Sequence, residues 1–300
     1  MGPAELTARI KSARKKVRQC VLFGFLSLFA AVIVVVLLGP YEAIGPLVFF
    51  LAILFLILSL FFFLHRYSYR SIPGNLIKTN IVCELLAETF ELESYLQNGC
   101  FTKEQINSSL LFDHCSECNG SDLVKGKYKG VPIEFCDITL KKQCRLSDDN
   151  YTIVTVFKGQ WLEIGLKKNL DSPVYLAERT GNALTGCVKM QEVKTDSDAF
   201  NKKYRVLAEN QQTALYILTP HFMEYITAAD NAADSATYFC FSGSRAIIAM
   251  GSRRNRRDLF EIDKPKKSMD WFRSKMKSDL RYITGVIDEL LKNEYLFERG

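Results

Sequence analysis

Apolar residues are distributed very unevenly along this 300-residue chain. Between residues 20 and 64 there is no Lys, Arg or Asp, and Glu42 is the only acidic residue. The region divides into two apolar runs, residues 20–38 and 43–64, and a run of about 20 apolar residues is long enough to cross a bilayer as a helix. The short connector between the runs predicts an antiparallel transmembrane hairpin. A signal peptide is the alternative for the first run, and the second apolar run argues against it.

Basic residues flank this hairpin at its outer ends. Residues 1–18 carry six basic side chains and one acidic side chain, and Arg66, Arg70 and Lys78 follow the second run, whereas the connector has no basic residue. Loops rich in Lys and Arg stay on the cytoplasmic side. We therefore expect a multi-pass protein of the cell inner (plasma) membrane with its N- and C-termini in the cytoplasm. The nine cysteines should then remain reduced thiols.

After residue 64 the periodicity changes twice. Residues 75–97 have apolar positions at helical spacing, and Thr102 with Gln105 forms a capping box that begins a second helix. The segment 113–129 is polar and predicts a loop. The pattern then alternates with period two and predicts strands joined by turns, one of them at Lys158-Gly159. These strands cover residues 131–140, 151–157, 161–166, 174–176 and 204–207.

The C-terminal third is predicted to mix strands and helices. Residues 211–218 and 220–229 are helical, with Thr219 as N-cap and Pro220 at the first helical position. Residues 237–241 and 246–250 resemble the two strands of a hairpin. An apolar stripe at spacings of three and four then predicts an amphipathic helix from about residue 268 to 296.

These elements predict a fold of the α+β class. We expect a basic cytoplasmic N-terminus at residues 1–19, the hairpin at 20–64, a helical stalk at 65–112 and a cytoplasmic domain at 113–300. This domain is an antiparallel β-sheet with helices, closed by the long C-terminal amphipathic helix. A pleckstrin-like half-barrel is one form of that architecture, suggested by analogy.

Two stretches resemble a known family. Residues 200–206 read Phe-Asn-Lys-Lys-Tyr-Arg-Val, and residues 214–223 read Ala-Leu-Tyr-Ile-Leu-Thr-Pro-His-Phe-Met. They are similar to the signature of a bacterial family known as domain of unknown function 3137, over roughly residues 77 to 250. The resemblance implies a bacterial inner-membrane protein with a cytoplasmic domain and no assigned reaction. It also implies a small membrane protein of the LemA type as a partner, because some family members are encoded near such proteins.

One cysteine cluster has the spacing of a metal site. His114 and Cys115 are followed three positions later by Cys118, and zinc binds four nitrogen or sulfur ligands. The candidate ligands are Cys115, Cys118, Cys136 and His114, with Cys100 as a further candidate. The alternatives are incidental thiols in a mobile loop and a redox pair, although the βαβ pattern typical of a thioredoxin-like redox pair is missing.

A basic segment lies near the C-terminus. Residues 251–281 contain eleven basic and five acidic residues. Because the cytoplasmic leaflet is anionic, this segment is predicted to contact lipid headgroups or a partner. The alternative is a solvated loop followed by the polar face of a helix. Nucleic acid is not expected as a ligand, because no nucleic-acid-binding motif accompanies the charge. The candidate contact residues are Arg253, Arg254, Arg256, Arg257, Lys264, Lys266 and Lys267.

Motifs for catalysis are missing from the sequence. There is no phosphate-binding glycine loop, no Gly-x-Ser-x-Gly elbow and no His-Glu-x-x-His motif. We therefore expect no catalytic residue and, apart from the zinc alternative, no cofactor. The leading hypothesis is a non-enzymatic interaction or scaffold module held at the membrane surface. The alternatives are a zinc-dependent sensor or enzyme built on Cys115 and Cys118, and a module that binds a small molecule or peptide in a pocket of the sheet.

Overall fold

The computed structural model describes residues 3–38, 45–112, 114–147, 150–179, 190–233, 236–251, 259–260 and 269–297. The chain forms two compact units. The first contains residues 1–82 and 262–268, and the second contains residues 83–261 and 269–300. The second unit therefore begins about thirty residues before the domain start predicted at residue 113.

The first unit contains two long helices, α1 (Pro3–Leu38) and α2 (Gly45–Thr89). Within them, Lys11–Leu37 and Gly45–Arg66 are long and apolar enough to cross a membrane. Helix α2 does not end at the Pro-Gly pair at residues 73–74. It continues to Thr89. Proline removes one backbone donor, and a long helix tolerates that loss when the flanking turns still form.

The two apolar helices pack side by side. The hydroxyls of Ser27 and Ser59 both donate to the carbonyl oxygen of Gly24, each at 3.0 Å. The missing side chain at Gly24 makes room for Phe63, because a Cβ atom there would lie 3.2 Å from the phenyl ring. Small residues permit this close approach of helices in membranes. Apart from such contacts, most of the large apolar side chains on both helices are exposed.

The second unit is built on a seven-stranded antiparallel sheet. The order along the sheet is β1-β2-β3-β4-β6-β5, and β7 pairs with β4. The strands are β1 (Glu91–Leu96), β2 (Glu117–Tyr128), β3 (Val131–Ser147), β4 (Asn150–Glu178), β5 (Gln191–Val193), β6 (Tyr204–Ala208) and β7 (Thr237–Gly251). The helices are α3 (Lys103–Ser108), α4 (Asp198–Lys203), α5 (Gln211–Ile217), α6 (Pro220–Ala233), α7 (Met269–Leu291) and α8 (Glu294–Phe297). These elements confirm the α+β class, and the pleckstrin-like form stays a prediction.

Strand β4 is the centre of this sheet. Its first part pairs with β3 and its last part with β6, on one edge. On the other edge it pairs with β7 from Gly159 to Leu176. Trp161, Leu162 and Ile164 on β4 are fully buried. The sequence predicted three separate strands here, and the turn expected at Lys158-Gly159 was wrong because Gly159 lies inside the continuous strand.

Gly159 allows the close approach of β7. It is paired with Gly251, and a Cβ atom at Gly159 would lie 2.1 Å from the carbonyl oxygen of Met250. A glycine inside a strand often marks such a backbone contact rather than a turn. The hairpin predicted at residues 237–250 was wrong for a related reason. Both halves pair with β4 as one strand, which bends at Gly243, a residue with φ of +57°.

Two further segments differ from their predicted structure. The polar segment 113–129 was expected to be a loop, but most of it forms β2, which pairs with both β1 and β3. The helix expected over residues 75–97 ends at Thr89, and Glu91–Leu96 form β1. Backbone pairing to a neighbouring strand decides both cases, and short-range periodicity does not report such pairing. The capping box of α3 is confirmed, with reciprocal Thr102 and Gln105 hydrogen bonds.

The contact at Gly159 generates a stability prediction. We expect Gly159→Ala to lower the free energy of unfolding by about 1–3 kcal/mol, because the new methyl group must displace backbone atoms of β7. Gly165→Ala in the same strand is the matched control, since its Cβ atom would meet only side-chain carbons of Pro132 at 3.3 Å. Chemical unfolding of the full chain in detergent measures both variants. Equal losses for the two substitutions would contradict the close-approach role.

Candidate functional site

The cysteine segment is held against the core by Asn107 of α3. Side-chain Oδ1 of Asn107 accepts a hydrogen bond from the Cys115 backbone N–H at 2.9 Å, and its Nδ2 donates to the Cys115 carbonyl oxygen at 3.3 Å. The amide nitrogen also lies 3.5 Å from Nε2 of His114. Cys115 itself is buried in the core cluster beside Phe112 and Trp161. The segment is therefore packed, not a free loop.

The structure collects three thiols around the backbone of Phe101. Cys118 donates to the Phe101 carbonyl oxygen at 3.4 Å and is hydrogen-bonded to the side chain of Cys100. Cys136, on β3, is fully buried and interacts with the backbone of Phe101. Burial raises the pKa of Cys118 to about 12 and raises the pKa values of Cys136 and Cys115. At neutral pH these side chains are therefore protonated thiols and not thiolates.

The predicted metal ligands do not converge in this arrangement. Among the described residues, no three His, Cys, Asp or Glu side chains are positioned to hold a metal ion. His114 faces Asn107, and Cys115 packs into the core beside Phe112. The zinc hypothesis for Cys115, Cys118, Cys136 and His114 stays a prediction, and metal binding there would require loss of the protons that burial favours.

A groove between α4 and α6 is lined by the family-like stretch. Its volume is about 440 Å³ and its surface is mainly apolar. The family-like residues 200–206 and 214–223 contribute to both walls, and the charged residues of the groove are Lys203 and Glu224. The lining residues are Ser197, Ala199, Phe200, Lys203, Pro220, Met223, Glu224, Thr227 and Ala228.

Local hydrogen bonds position the two helices of this groove. Ser197 caps α4 by accepting from the Phe200 backbone at 3.3 Å, and Thr219 accepts from the Phe222 backbone at 3.3 Å as predicted for the start of α6. Asn201 of the family-like stretch bonds the backbone of Thr195 through both ends of its amide. The turn before α4 is thereby locked to the helix that follows it.

A buried polar pair lies next to the groove. The Tyr204 hydroxyl donates to Oδ2 of Asp230 at 2.6 Å, and both side chains are almost completely buried. Oδ1 of Asp230 has no hydrogen-bond partner among the described residues. Burial raises the pKa of the Asp230 carboxyl, and the neighbouring hydroxyls of Thr237 and Tyr204 partly oppose this shift. The pKa of Tyr204 is raised by burial and by the carboxylate beside it.

The sequence contained a signal for this pair that we did not use. Phe222, Ile226 and Asp230 follow one another at a spacing of four residues, and all three are buried on one side of α6. A carboxylate on the apolar stripe of a helix needs a partner, since burying it alone is costly. Tyr204, in the family-like stretch, is that partner.

The described residues include only part of the basic segment. Arg253, Arg254, Arg256, Arg257, Lys264, Lys266 and Lys267 all lie outside the described residues. Further along, Arg273 pairs with Glu84 at 2.5 Å and Lys277 pairs with Glu88 at 3.5 Å. These pairs line a groove of about 640 Å³ between α7 and the last turns of α2. Exposed ion pairs of this kind contribute little stability.

The buried pair generates a pH-dependent stability prediction. Because burial raises the pKa of Asp230, the folded chain keeps that proton to higher pH than the unfolded chain, and ionisation costs stability as pH rises. The Tyr204 hydroxyl offsets part of that cost. We expect Tyr204→Phe to lower the free energy of unfolding by about 1–3 kcal/mol near pH 7 and by less near pH 4.

Chemical unfolding of the full chain at both pH values measures this effect. The matched control is Tyr216→Phe, whose ring is 58% exposed and stacks on Tyr295. The control is expected to change stability by a few tenths of a kcal/mol at either pH. An equal loss at pH 4 and pH 7 for Tyr204→Phe would rule out the coupling to Asp230.

Comparisons with known proteins concern the family and the fold. A search of the curated proteins found no match. One solved structure, described as the crystal structure of the mycobacterial trehalose monomycolate transport factor A, TtfA, is similar with a TM-score of 0.40 and 10% sequence identity. The similarity covers 71% of this chain and 94% of that chain. At this score and identity, the likeness says nothing about function.

The family comparison covers the second half of the chain. Residues 155–292 match a family model described as "Protein of unknown function (DUF3137)". The match begins at residue 155, later than the resemblance in the sequence, and extends beyond residue 250 to include the whole of α7. It also includes both walls of the groove, together with Tyr204 and Asp230. The resemblance to DUF3137 that the sequence indicated is therefore confirmed over residues 155–292.

Proposed function

We propose that this protein is a membrane-anchored interaction module without catalytic activity. Helices α1 and α2 cross the bilayer as a hairpin, both termini lie in the cytoplasm, and the α+β unit works at the inner surface of the membrane. Anchoring confines that unit near the bilayer and raises its effective concentration for neighbouring membrane proteins. A LemA-type protein, implied by the family resemblance, is one such candidate partner.

The exposure of the apolar helices is the observation that carries this proposal. Only 22% and 11% of the residues in the most apolar windows of the two candidate spans are buried within the protein. Phe49, Phe50 and Leu64 each keep about two-thirds of their surface exposed. Exposed apolar patches of this extent are unfavourable in water and favourable in hydrocarbon. The core helix of a water-soluble protein would bury these side chains.

The surroundings of the three histidines support a non-catalytic role. His65 stacks on Phe61 with ring centroids 5.0 Å apart, and His114 faces Asn107. Nε2 of His221 lies 2.9 Å from Oε1 of Glu289, so this contact links α6 to α7. The arrangements resemble structural contacts more than a nucleophile with its general base. The proposal therefore assigns no reaction to the chain.

Lipid contact is the second part of the proposal. The segment 252–267 and the start of α7 carry a dense positive charge in the sequence, on the side of the membrane proposed to face anionic lipid. Each Lys or Arg near such a surface contributes about 1 kcal/mol. The segment therefore orients the α+β unit against headgroups.

A reporter fusion tests the anchoring. We expect alkaline phosphatase, which is active only outside the cytoplasm, to be inactive when fused after Gly300 in a bacterial host. The same enzyme inserted into the connector at residues 39–42 is expected to be active, and this insertion is the control for expression. Activity after Gly300 would overturn the proposed orientation, since basic flanks hold both ends of the hairpin inside.

Hydrogen exchange tests the lipid contact. We expect residues 251–267 of the full chain to exchange more slowly in nanodiscs with anionic lipid than in purely zwitterionic nanodiscs. Arg256→Glu/Arg257→Glu is expected to remove the difference. The control variant, Lys127→Glu/Lys202→Glu, makes the same charge change at two exposed sites on the sheet unit. We expect this variant to retain the difference in exchange between the two lipid compositions. Identical exchange in the two lipid compositions for the unmodified chain would contradict the proposed contact.

A further inference from the structure

The end of the β3–β4 hairpin continues past the neighbouring strands. We call residues 142–147 and 150–156 the arm. The β2 ladder ends where Glu117 pairs with Lys141, and β7 first pairs with β4 at Gly159. Within the part of the chain that the structure describes, the two strands of the arm therefore pair only with each other. Along residues 151–156, the edge of β4 opposite β3 has no partner strand among the described residues, and β7 covers the same edge from Gly159 onward.

The arm exposes large apolar side chains. Tyr151, Ile153 and Val154 are 53%, 56% and 44% exposed. The described residues of the second unit contain seven exposed large apolar side chains, and three of them lie within these four positions. Isolated apolar residues are common on protein surfaces, but a cluster on an open strand indicates an interaction site.

The two edges of the arm differ in charge. Lys141, Lys142 and Arg145 lie on β3, and charged side chains of this kind protect an edge strand from pairing. Residues 151–156 of β4 read Tyr-Thr-Ile-Val-Thr-Val, with no charge, glycine or proline. These residue types favour strands. An open, uncharged edge of this composition is a template for the addition of another strand.

We propose that residues 151–155 of β4 pair antiparallel with the same residues of a second copy of this chain. A two-fold arrangement centred on Ile153 places Ile153 opposite itself, Tyr151 opposite Thr155 and Thr152 opposite Val154. Alternation along a strand keeps each of these pairs on one face of the joined sheet. Pairs of aromatic and β-branched residues are among the stabilising cross-strand contacts.

Charge favours a second copy over a charged partner strand. The paired segments carry no charge, so no like charges meet at the new ladder, and a charged strand would gain no complementary partner there. The basic β3 strands of the two copies would be separated by both β4 strands. At about 4.8 Å per strand this is roughly 14 Å, which exceeds the screening length at physiological salt.

The proposed β4–β4 interface is small, so we expect it to form between two copies in the same membrane. The area buried by one added pair of five-residue strands is well below that of a standard stable interface. Two copies anchored in one bilayer meet at a much higher effective concentration than two copies in solution. The rise in effective concentration rests on the proposed membrane anchoring. The pairing of the two β4 edges does not depend on that anchoring.

Photo-crosslinking in the native membrane tests the pairing. The full chain carries p-benzoylphenylalanine in place of Tyr151, an aromatic residue at an exposed position. We expect irradiation to give an adduct of twice the chain mass, with the crosslink mapped to residues 151–156 of the other copy. Ile153→Lys, and separately Thr155→Lys, is expected to reduce this adduct at least tenfold by placing ammonium groups at the centre of the ladder or beside it.

The matched control is Gln143→Lys. Gln143 is the cross-strand partner of Ile153 on the same face of the arm but lies on β3, so its substitution adds the same charge away from the open edge. The adduct is expected to persist in this variant. Circular dichroism of each purified variant verifies that the sheet is intact, and alkaline extraction of the same membranes reports anchoring separately.

Three results would overturn the pairing. They are adducts with a different protein or with lipid in place of a second copy, no adduct from chains shown to be folded and anchored, and an adduct equally strong with Lys at position 153. Loss of the chain from extracted membranes with the adduct retained would contradict the anchoring and leave the pairing in place.

Discussion

Backbone hydrogen bonding along β4 is the constraint on which the second unit depends. This one strand of 29 residues joins β3 and β6 on one edge to β7 on the other. At Gly159 the backbones approach so closely that a single methyl group has no room. The positions of the buried tryptophan, the arm and the end of the sheet near α4 all follow from the register of this strand.

Around α4 and α6, the same residues stabilise the fold and line the groove. Phe200 packs against Tyr204 with ring centroids 4.5 Å apart and also lines the groove. Tyr204 in turn satisfies one oxygen of a buried carboxylate. The family-like stretch is therefore explained mainly by packing and by this hydrogen bond. A ligand in the groove would contact side chains whose positions the fold has already fixed.

For the cysteines and for the basic residues of α7, the surroundings in the fold modify what the local sequence pattern suggests. The Cys-x-x-Cys spacing alone is compatible with zinc, but the environment of Cys118 favours the protonated thiol. The basic surface of α7 is partly balanced by Glu84 and Glu88 of α2. In both cases the neighbours supplied by the fold determine the chemistry available to the side chain.

The sequence by itself determined the two apolar helices, the α+β class, the resemblance to DUF3137 and several helix starts. These features depend on composition and on contacts within a few residues, such as the Thr102–Gln105 capping box. Only the tertiary structure decided that residues 237–251 form one strand, that residues 117–128 pair within the sheet, and that Asp230 meets Tyr204. Those outcomes depend on which distant backbone or side chain arrives at a position, and period-two or period-four patterns carry no information about that partner.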